Sequence, residues 1–254
     1  MRILFILACT LAISPLMAQK KSKKNQPEPL KTEVPAPVTP APEKPKQDSA
    51  KVDPLIAHFI RKYSTALAWN DYDVAKDALY DLIVENPGND SLIYDLAIFY
   101  YERQKYASSI LVGQELLSRN PKSLPALEIT ASGYENMGIA DRALQSYESL
   151  YLLTNTTGSL YKMAFLQYDL KRFKEAAASA DILLTKPEME TTKVVFPDVQ
   201  NKQKEYPMKT AVLNLRGMIE LENGNKAEAR KWFDKALATS PDFVPAKQNI
   251  SKTK

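Results

Sequence analysis

Side chains able to carry catalysis or to bind a metal are scarce in this sequence. Its 254 residues include one His, His58, and one Cys, Cys9. A Cys–His nucleophilic pair or a zinc site needs several such side chains in one place. The sequence also lacks a Gly-x-Ser-x-Gly nucleophile turn and a glycine-rich phosphate loop. We therefore predict that the protein is not an enzyme and has no catalytic residue, no metal ligand and no cofactor.

The remaining polar candidates favour structural roles. His58 lies within the apolar stretch 55–59, where a partly buried structural imidazole is the simpler interpretation. Four carboxylates, Asp71, Asp73, Asp77 and Asp81, have the spacing of a solvated helical face, and a cation-binding loop would space them differently.

Charge and aromatic residues divide the chain into two parts near Asp53. Residues 19–53 hold eight Lys and five acidic residues, whereas residues 54–254 hold 25 basic and 25 acidic residues. The overall net charge of +4 therefore comes from the N-terminal part, and the balanced remainder argues against binding of nucleic acid. All 13 Tyr and both Trp follow Asp53, so only residues 54–254 can build a core.

The first eighteen residues have the pattern of a secretory signal peptide. Arg2 supplies a positive start, residues 3–13 are apolar, and Ala18 is a small residue before polar Gln19. The alternative, an uncleaved membrane anchor, would need a longer apolar run than one broken by Pro15. We predict cleavage after Ala18, no transmembrane segment in the mature chain, and export to the periplasm, the outer membrane or the cell surface.

Residues 19–53 have the composition of a disordered spacer. They contain seven prolines, no aromatic residue and no Gly, and such a segment cannot bury enough apolar area to offset its ordering entropy. In a polyproline conformation it would reach on the order of 100 Å. Its basic cluster predicts possible peripheral contact with a membrane or cell-wall polymer through Lys20, Lys21, Lys23 and Lys24.

A four-residue frame ending in a small residue recurs five times in the second part. The frames occupy residues 72–75, 106–109, 140–143, 173–176 and 226–229, and their last residues are 34, 34, 33 and 53 positions apart. A second small residue lies twelve positions upstream in the last four copies, at Ala97, Ala131, Ala164 and Gly217. Where two antiparallel helices cross closely, small side chains are needed on both. Each unit therefore predicts a helical hairpin, and a proline stops the second helix at Pro87, Pro121, Pro187 and Pro241.

At these residues the chain resembles the tetratricopeptide repeat family, with five copies over residues 56–241. The family pattern is matched best by Ile93, Leu96, Ala97, Tyr100, Tyr106, Ser109, Leu116 and Pro121. Lys62 and Tyr63 depart from it in the first copy, as an atypical capping repeat does. The resemblance implies an all-α fold, a right-handed superhelical solenoid of about five helix-turn-helix hairpins.

About twenty-two residues, 188–209, are inserted between the fourth and fifth copies. The insertion includes Val194, Val195, Phe196 and Tyr206, which need burial in spite of their polar surroundings. These side chains either cover the solenoid's own surface or bind a partner, and both interpretations stay open at this point.

The resemblance also implies a binding surface on the concave face, along the first helix of each hairpin. The candidate partner-binding residues are Tyr94, Ile98, Tyr101, Glu128, Ser132, Asn136, Tyr161, Phe165, Tyr168 and Asp169. Glu135 and, in the fifth copy, Asn214, Met218, Leu221 and Glu222 lie at equivalent places. Tetratricopeptide domains that clamp a C-terminal carboxylate carry Lys, Arg and Asn at these places, whereas this set is aromatic and mildly acidic. An uncharged peptide, with a basic residue opposite Glu128, Glu135 or Asp169, is the expected ligand.

We therefore expect a non-catalytic interaction scaffold of the cell envelope that binds a protein or peptide through its concave face. The alternative is a structural or assembly subunit of the envelope that contacts cell wall or membrane through the basic, proline-rich arm.

Overall fold

The computed structural model describes residues 53–254, which form eleven α-helices and one two-stranded sheet. The predicted signal peptide and all but the last residue of the predicted linker lie outside this range and stay predictions. The helices are α1 (Pro54–Ala68), α2 (Tyr72–Glu85), α3 (Asp90–Glu102), α4 (Tyr106–Arg119), α5 (Leu124–Asn136), α6 (Ala140–Thr154), α7 (Thr157–Asp169), α8 (Phe173–Thr185), α9 (Met208–Glu222), α10 (Lys226–Thr239) and α11 (Val244–Ser251). A 3₁₀ turn (Pro187–Met189) and the strands β1 (Lys193–Pro197) and β2 (Gln203–Pro207) lie between α8 and α9.

The first ten helices pack as five consecutive hairpins. Within each hairpin the two helices contact each other, and the second helix then packs against the first helix of the next hairpin. This arrangement confirms the predicted solenoid of helical hairpins.

The repeated frames mark where the second helices begin. The second helices α2, α4, α6, α8 and α10 start at the first residue of each frame: Tyr72, Tyr106, Ala140, Phe173 and Lys226. Four of them end two residues before a predicted stop proline, since proline cannot continue the helical hydrogen bonding. The exception, α6, has no such proline and ends at Thr154, where the cap residue Asn155 adopts a left-handed conformation with φ of 50°.

Each hairpin turn contains a residue with positive φ two positions before the second helix. These residues are Asn70, Gln104, Gly138, Lys171 and Gly224, with φ between 57° and 80°. The left-handed conformation costs a non-glycine residue roughly 1–2 kcal/mol, so three of the five turns are held in a strained conformation by the packing of their helices.

Small residues occupy the crossing points of the last four hairpins, as predicted. Ala97 and Ser109 are fully buried at the crossing of α3 and α4, and the Ser109 hydroxyl donates to the Ala97 carbonyl at 2.8 Å. In the fifth hairpin, a Cβ added to Gly217 would lie 2.3 Å from Cε1 of Phe233. At that crossing the Phe233 ring fills the space that a side chain at position 217 would need.

The first hairpin replaces a core leucine with a charged residue. Lys62 on α1 takes the place of Leu96, and its Nζ donates to Asp77 at 2.5 Å and to Asp81 at 3.1 Å on α2. The sequence interpretation of these two carboxylates as part of a solvated face is therefore incomplete, because they hold α1 against α2. Polar side chains at this end of the stack are the mark of a capping repeat.

The insertion forms a β-hairpin, so the fold is α-helical with one exception that the sequence did not predict. Strands β1 and β2 pair antiparallel, with Val194 opposite Tyr206. Val194, Phe196 and Tyr206 are buried, and the rings of Phe196 and Tyr206 each lie 5.0 Å from that of Phe243. These apolar side chains cover the solenoid's own C-terminal repeat, the first of the two interpretations left open above.

Helix α11 extends the solenoid beyond the predicted end of the repeats at residue 241. It packs against α10 and α9 as the first helix of a sixth repeat would, and Asn249 Nδ2 donates to Asn214 Oδ1 at 3.1 Å. Residues 241–246 repeat the Pro-x-x-x-Pro-Ala pattern of residues 121–126, which precede and begin α5. This pattern could have predicted α11 from the sequence.

We predict that Gly217→Ala lowers the free energy of unfolding by about 1–3 kcal/mol, because the new methyl group overlaps the buried Phe233 ring. Chemical denaturation followed by circular dichroism measures this change. Gly158→Ala is the matched control, because a Cβ there meets no atom within 4 Å. Equal changes for the two variants would contradict the role given to the crossing point.

We also predict that Lys171→Gly raises the free energy of unfolding by about 0.5–1 kcal/mol, because glycine adopts the left-handed conformation without the Cβ clash. The control is Ala178→Gly at an exposed position inside α8, which should lower stability by about 1 kcal/mol. A loss of stability in both variants would show that the turn is not strained.

Candidate protein-binding groove

The first helices of the hairpins form one wall of the solenoid. Helix α3 contacts α5, and α7 contacts α9, in each case across a whole repeat. All ten predicted partner-binding residues lie on three of these helices: Tyr94, Ile98 and Tyr101 on α3, Glu128, Ser132 and Asn136 on α5, and Tyr161, Phe165, Tyr168 and Asp169 on α7. Below, "the groove" means this set together with Glu135 and Glu222.

The ten residues differ in how far they are exposed. Glu128 and Asp169 are exposed, seven others are half-buried, and Tyr161 retains only 8% of its exposure. The ring of Tyr161 lies 4.7 Å from that of Phe165. Burial raises the pKa of the Tyr161 phenol, and the Glu135 carboxylate raises it further. Tyr161 therefore packs against Phe165 inside the protein and offers little surface to a partner.

A hydrogen bond joins α3 to α5 within the groove. The side-chain amide of Asn136 donates to the Tyr101 hydroxyl at 2.9 Å and to the Ser132 carbonyl at 2.8 Å. Burial is the main cause of the raised pKa of Tyr101, whose ring also contacts Tyr106 at 5.4 Å. The phenol stays protonated at neutral pH, and its position is set before any partner arrives.

Glu135 on α5 is already paired inside the protein. Its carboxylate accepts a hydrogen bond from the Tyr147 hydroxyl at 2.9 Å and from Lys162 Nζ at 2.6 Å. The two charged side chains of this pair are only 26% and 18% exposed. Lys162 therefore occupies the position opposite Glu135 where a basic ligand residue was expected. The sequence interpretation missed this internal partner.

The groove differs at its α7 end, where the carboxylates of Glu222 and Asp169 act on Tyr168. The Tyr168 hydroxyl donates to Glu222 Oε1 on α9 at 3.3 Å. Burial and the Glu222 carboxylate together raise the pKa of Tyr168 to about 12. The pKa of Asp169 is also raised, because the groove walls partly desolvate its carboxyl and the Glu135 carboxylate repels it. No cation of the described residues pairs with Asp169.

Metal-binding clusters and membrane-spanning helices are both absent from the part of the chain that the structure describes. Residues 53–254 hold no group of three or more His, Cys, Asp or Glu side chains placed to bind a metal ion. Nor does any helix in this range combine the length and the apolar character needed to cross a bilayer.

Comparison with known proteins gives the repeat its family. A family model described as the tetratricopeptide repeat matches residues 210–243, which correspond to α9, α10 and the turn that follows. The chain therefore contains a tetratricopeptide repeat over these residues. Among curated proteins, no sequence matches the chain.

Solved structures of tetratricopeptide proteins share this fold. MamA has 15% sequence identity and a TM-score of 0.57, over 74% of this chain and 92% of that one. YrrB, described as a TPR protein with an unusual peptide-binding site, has 12% identity and a TM-score of 0.59 over 75% and 89%. MamA from Desulfovibrio magneticus RS-1 has 10% identity and a TM-score of 0.57 over 76% and 98%. Identities this low establish the fold alone.

We predict that Lys162→Met lowers the free energy of unfolding by about 1–2 kcal/mol, because the Glu135 carboxylate loses its charged partner in a poorly solvated place. The double variant Glu135→Gln/Lys162→Met should lose less stability than the sum of the two single variants. Denaturation of all four proteins measures the coupling. Strictly additive losses would contradict a direct interaction between the two side chains.

Proposed function

We propose that the protein is exported to the cell envelope and acts there, without catalysis, as a scaffold that holds a peptide segment of another protein in the groove. The observation that carries this proposal is the set of half-buried aromatic and aliphatic side chains along the first helices. Tyr94, Ile98 and Tyr101 form one apolar cluster on α3, and Phe165 and Tyr168 form a second on α7.

These clusters have the character of a protein-binding surface. Tyrosine combines a large apolar ring with a polar tip and is enriched where proteins bind one another. The aromatic side chains are also held in place: Tyr101 by Asn136, and Phe165 by the buried Tyr161. Such preorganisation lowers the entropy lost when a partner binds.

Clamping of a C-terminal carboxylate is disfavoured by the charges of the groove. A carboxylate ligand needs free cationic donors, but Lys162 is already bound to Glu135. The carboxylates of Glu128 and Asp169 are exposed and would repel an anionic ligand. The location in the envelope rests on the signal peptide pattern of residues 1–18 alone.

The groove variant that tests this proposal is Ile98→Ala/Phe165→Ala, which removes apolar contacts from both clusters. Partners are captured by crosslinking the full, processed chain in its native envelope and are identified by mass spectrometry. We expect the double variant to reduce capture by about tenfold or more, equivalent to about 1.4 kcal/mol, while its helical circular dichroism remains.

Leu111→Ala/Leu152→Ala is the matched control, because both leucines lie on second helices and are 68% and 84% exposed. It should capture the same partners as the wild type. Deletion of residues 19–53 separates the alternative function from this one. Loss of capture on that deletion, with full capture by the groove variant, would favour an assembly subunit that acts through its basic arm.

A further inference from the structure

The α7 end of the groove combines an aromatic wall with carboxylates on separate helices. Besides burial, two carboxylates act on Tyr168 and raise its pKa: Glu222 on α9, which accepts the hydrogen bond of the Tyr168 hydroxyl, and Asp169, the next residue on α7. Phe165, which packs on the buried Tyr161, continues the aromatic wall one turn away on the same helix.

Charge at this end is only partly compensated within the protein. Lys162 is committed to Glu135, whose carboxylate also accepts from Tyr147. Asp169 then faces Glu135 with no cation of its own among the described residues, and Glu222 has only the neutral hydroxyl of Tyr168. Two carboxylates without a cationic partner among the described residues therefore remain beside an aromatic surface, and partial desolvation disfavours the charge of Asp169.

We infer that this end of the groove binds a Lys or Arg side chain of the partner peptide, between Asp169 and Glu222 and against the Tyr168 ring. An apolar residue of the same peptide then packs on Phe165. The inference rests on the proposed function, because it assigns the chemistry of the ligand that the groove holds. It moves the basic ligand residue away from Glu135, where sequence analysis had also allowed it.

The ring beside the carboxylates distinguishes an organic cation from a metal ion. An ammonium or guanidinium group gains from an aromatic face and from carboxylates at once. A divalent metal ion needs several oxygen ligands converging on one point, and the described residues hold no group of three acidic side chains arranged in that way. Charge complementarity therefore favours a basic peptide.

Selection from a displayed library of random short peptides on the full chain tests this inference. We expect the selected peptides to be enriched in Lys or Arg next to an aromatic or aliphatic residue. Affinity for a selected peptide, measured by fluorescence anisotropy, should fall about tenfold in Asp169→Asn and further in Asp169→Asn/Glu222→Gln. Glutamine at 222 can still accept the Tyr168 hydrogen bond, so the variant removes charge and keeps the contact.

Folding is checked on the same variants. Asp169→Asn should melt at the wild-type temperature or above it at neutral pH, because it removes a charge that the fold disfavours. Glu148→Gln makes the same charge change on the second helix α6 and should leave peptide affinity unchanged. If Glu148→Gln weakens peptide binding as much as Asp169→Asn does, the loss of affinity comes from net charge alone. That result would overturn the inference.

The outcomes separate this inference from the proposed function. If Ile98→Ala/Phe165→Ala abolishes peptide binding while Asp169→Asn/Glu222→Gln binds as wild type does, the groove binds peptides but the basic-residue site is wrong. Selected peptides without enrichment in Lys or Arg lead to the same conclusion. If no peptide binds, or if the Ile98/Phe165 variant binds unchanged, both proposals are overturned.

Discussion

The close approach of two helices at each hairpin crossing is the constraint on which the rest of the solenoid depends. Ala97 against Ser109, or Gly217 against the Phe233 ring, lets the two backbones come near enough to exclude water from the crossing. Once the small residue faces its partner helix, the rotation of the first helix about its axis is set. The residues three positions before it and one, four and five positions after it then lie toward another side of the helix, and the groove is made from those positions.

Repeats that share this scaffold use their groove positions differently. On α3 and α7 these positions carry mostly aromatic side chains, whereas on α5 they carry Glu128, Ser132 and Glu135. The polar residues of α5 are largely used within the protein, where Asn136 binds Tyr101 and Glu135 binds Lys162. The middle of the groove thus links neighbouring repeats, and its apolar clusters are available to a partner.

The two ends of the solenoid are closed in different ways. At the N-terminal end, Lys62 takes the place of a core leucine and ties α1 to α2 through carboxylates. At the C-terminal end, α11 covers the fifth hairpin, and the β-hairpin insertion covers Phe243 with Phe196 and Tyr206. The fifth repeat is therefore the most enclosed part of the wall, and Asn214, a groove position in the other repeats, is buried by α11.

The sequence by itself determined the repeats, the starts of the second helices and most of their ends, because frame spacing and proline act within a few residues of the backbone. It also indicated which helices bear the groove, through the family resemblance. Only the tertiary structure decided which groove side chains are free. Lys162 reaches Glu135 across 27 positions, Tyr161 is covered, and the strands of the insertion pair with each other. These outcomes depend on contacts between distant segments, whose geometry no local pattern of residue types specifies.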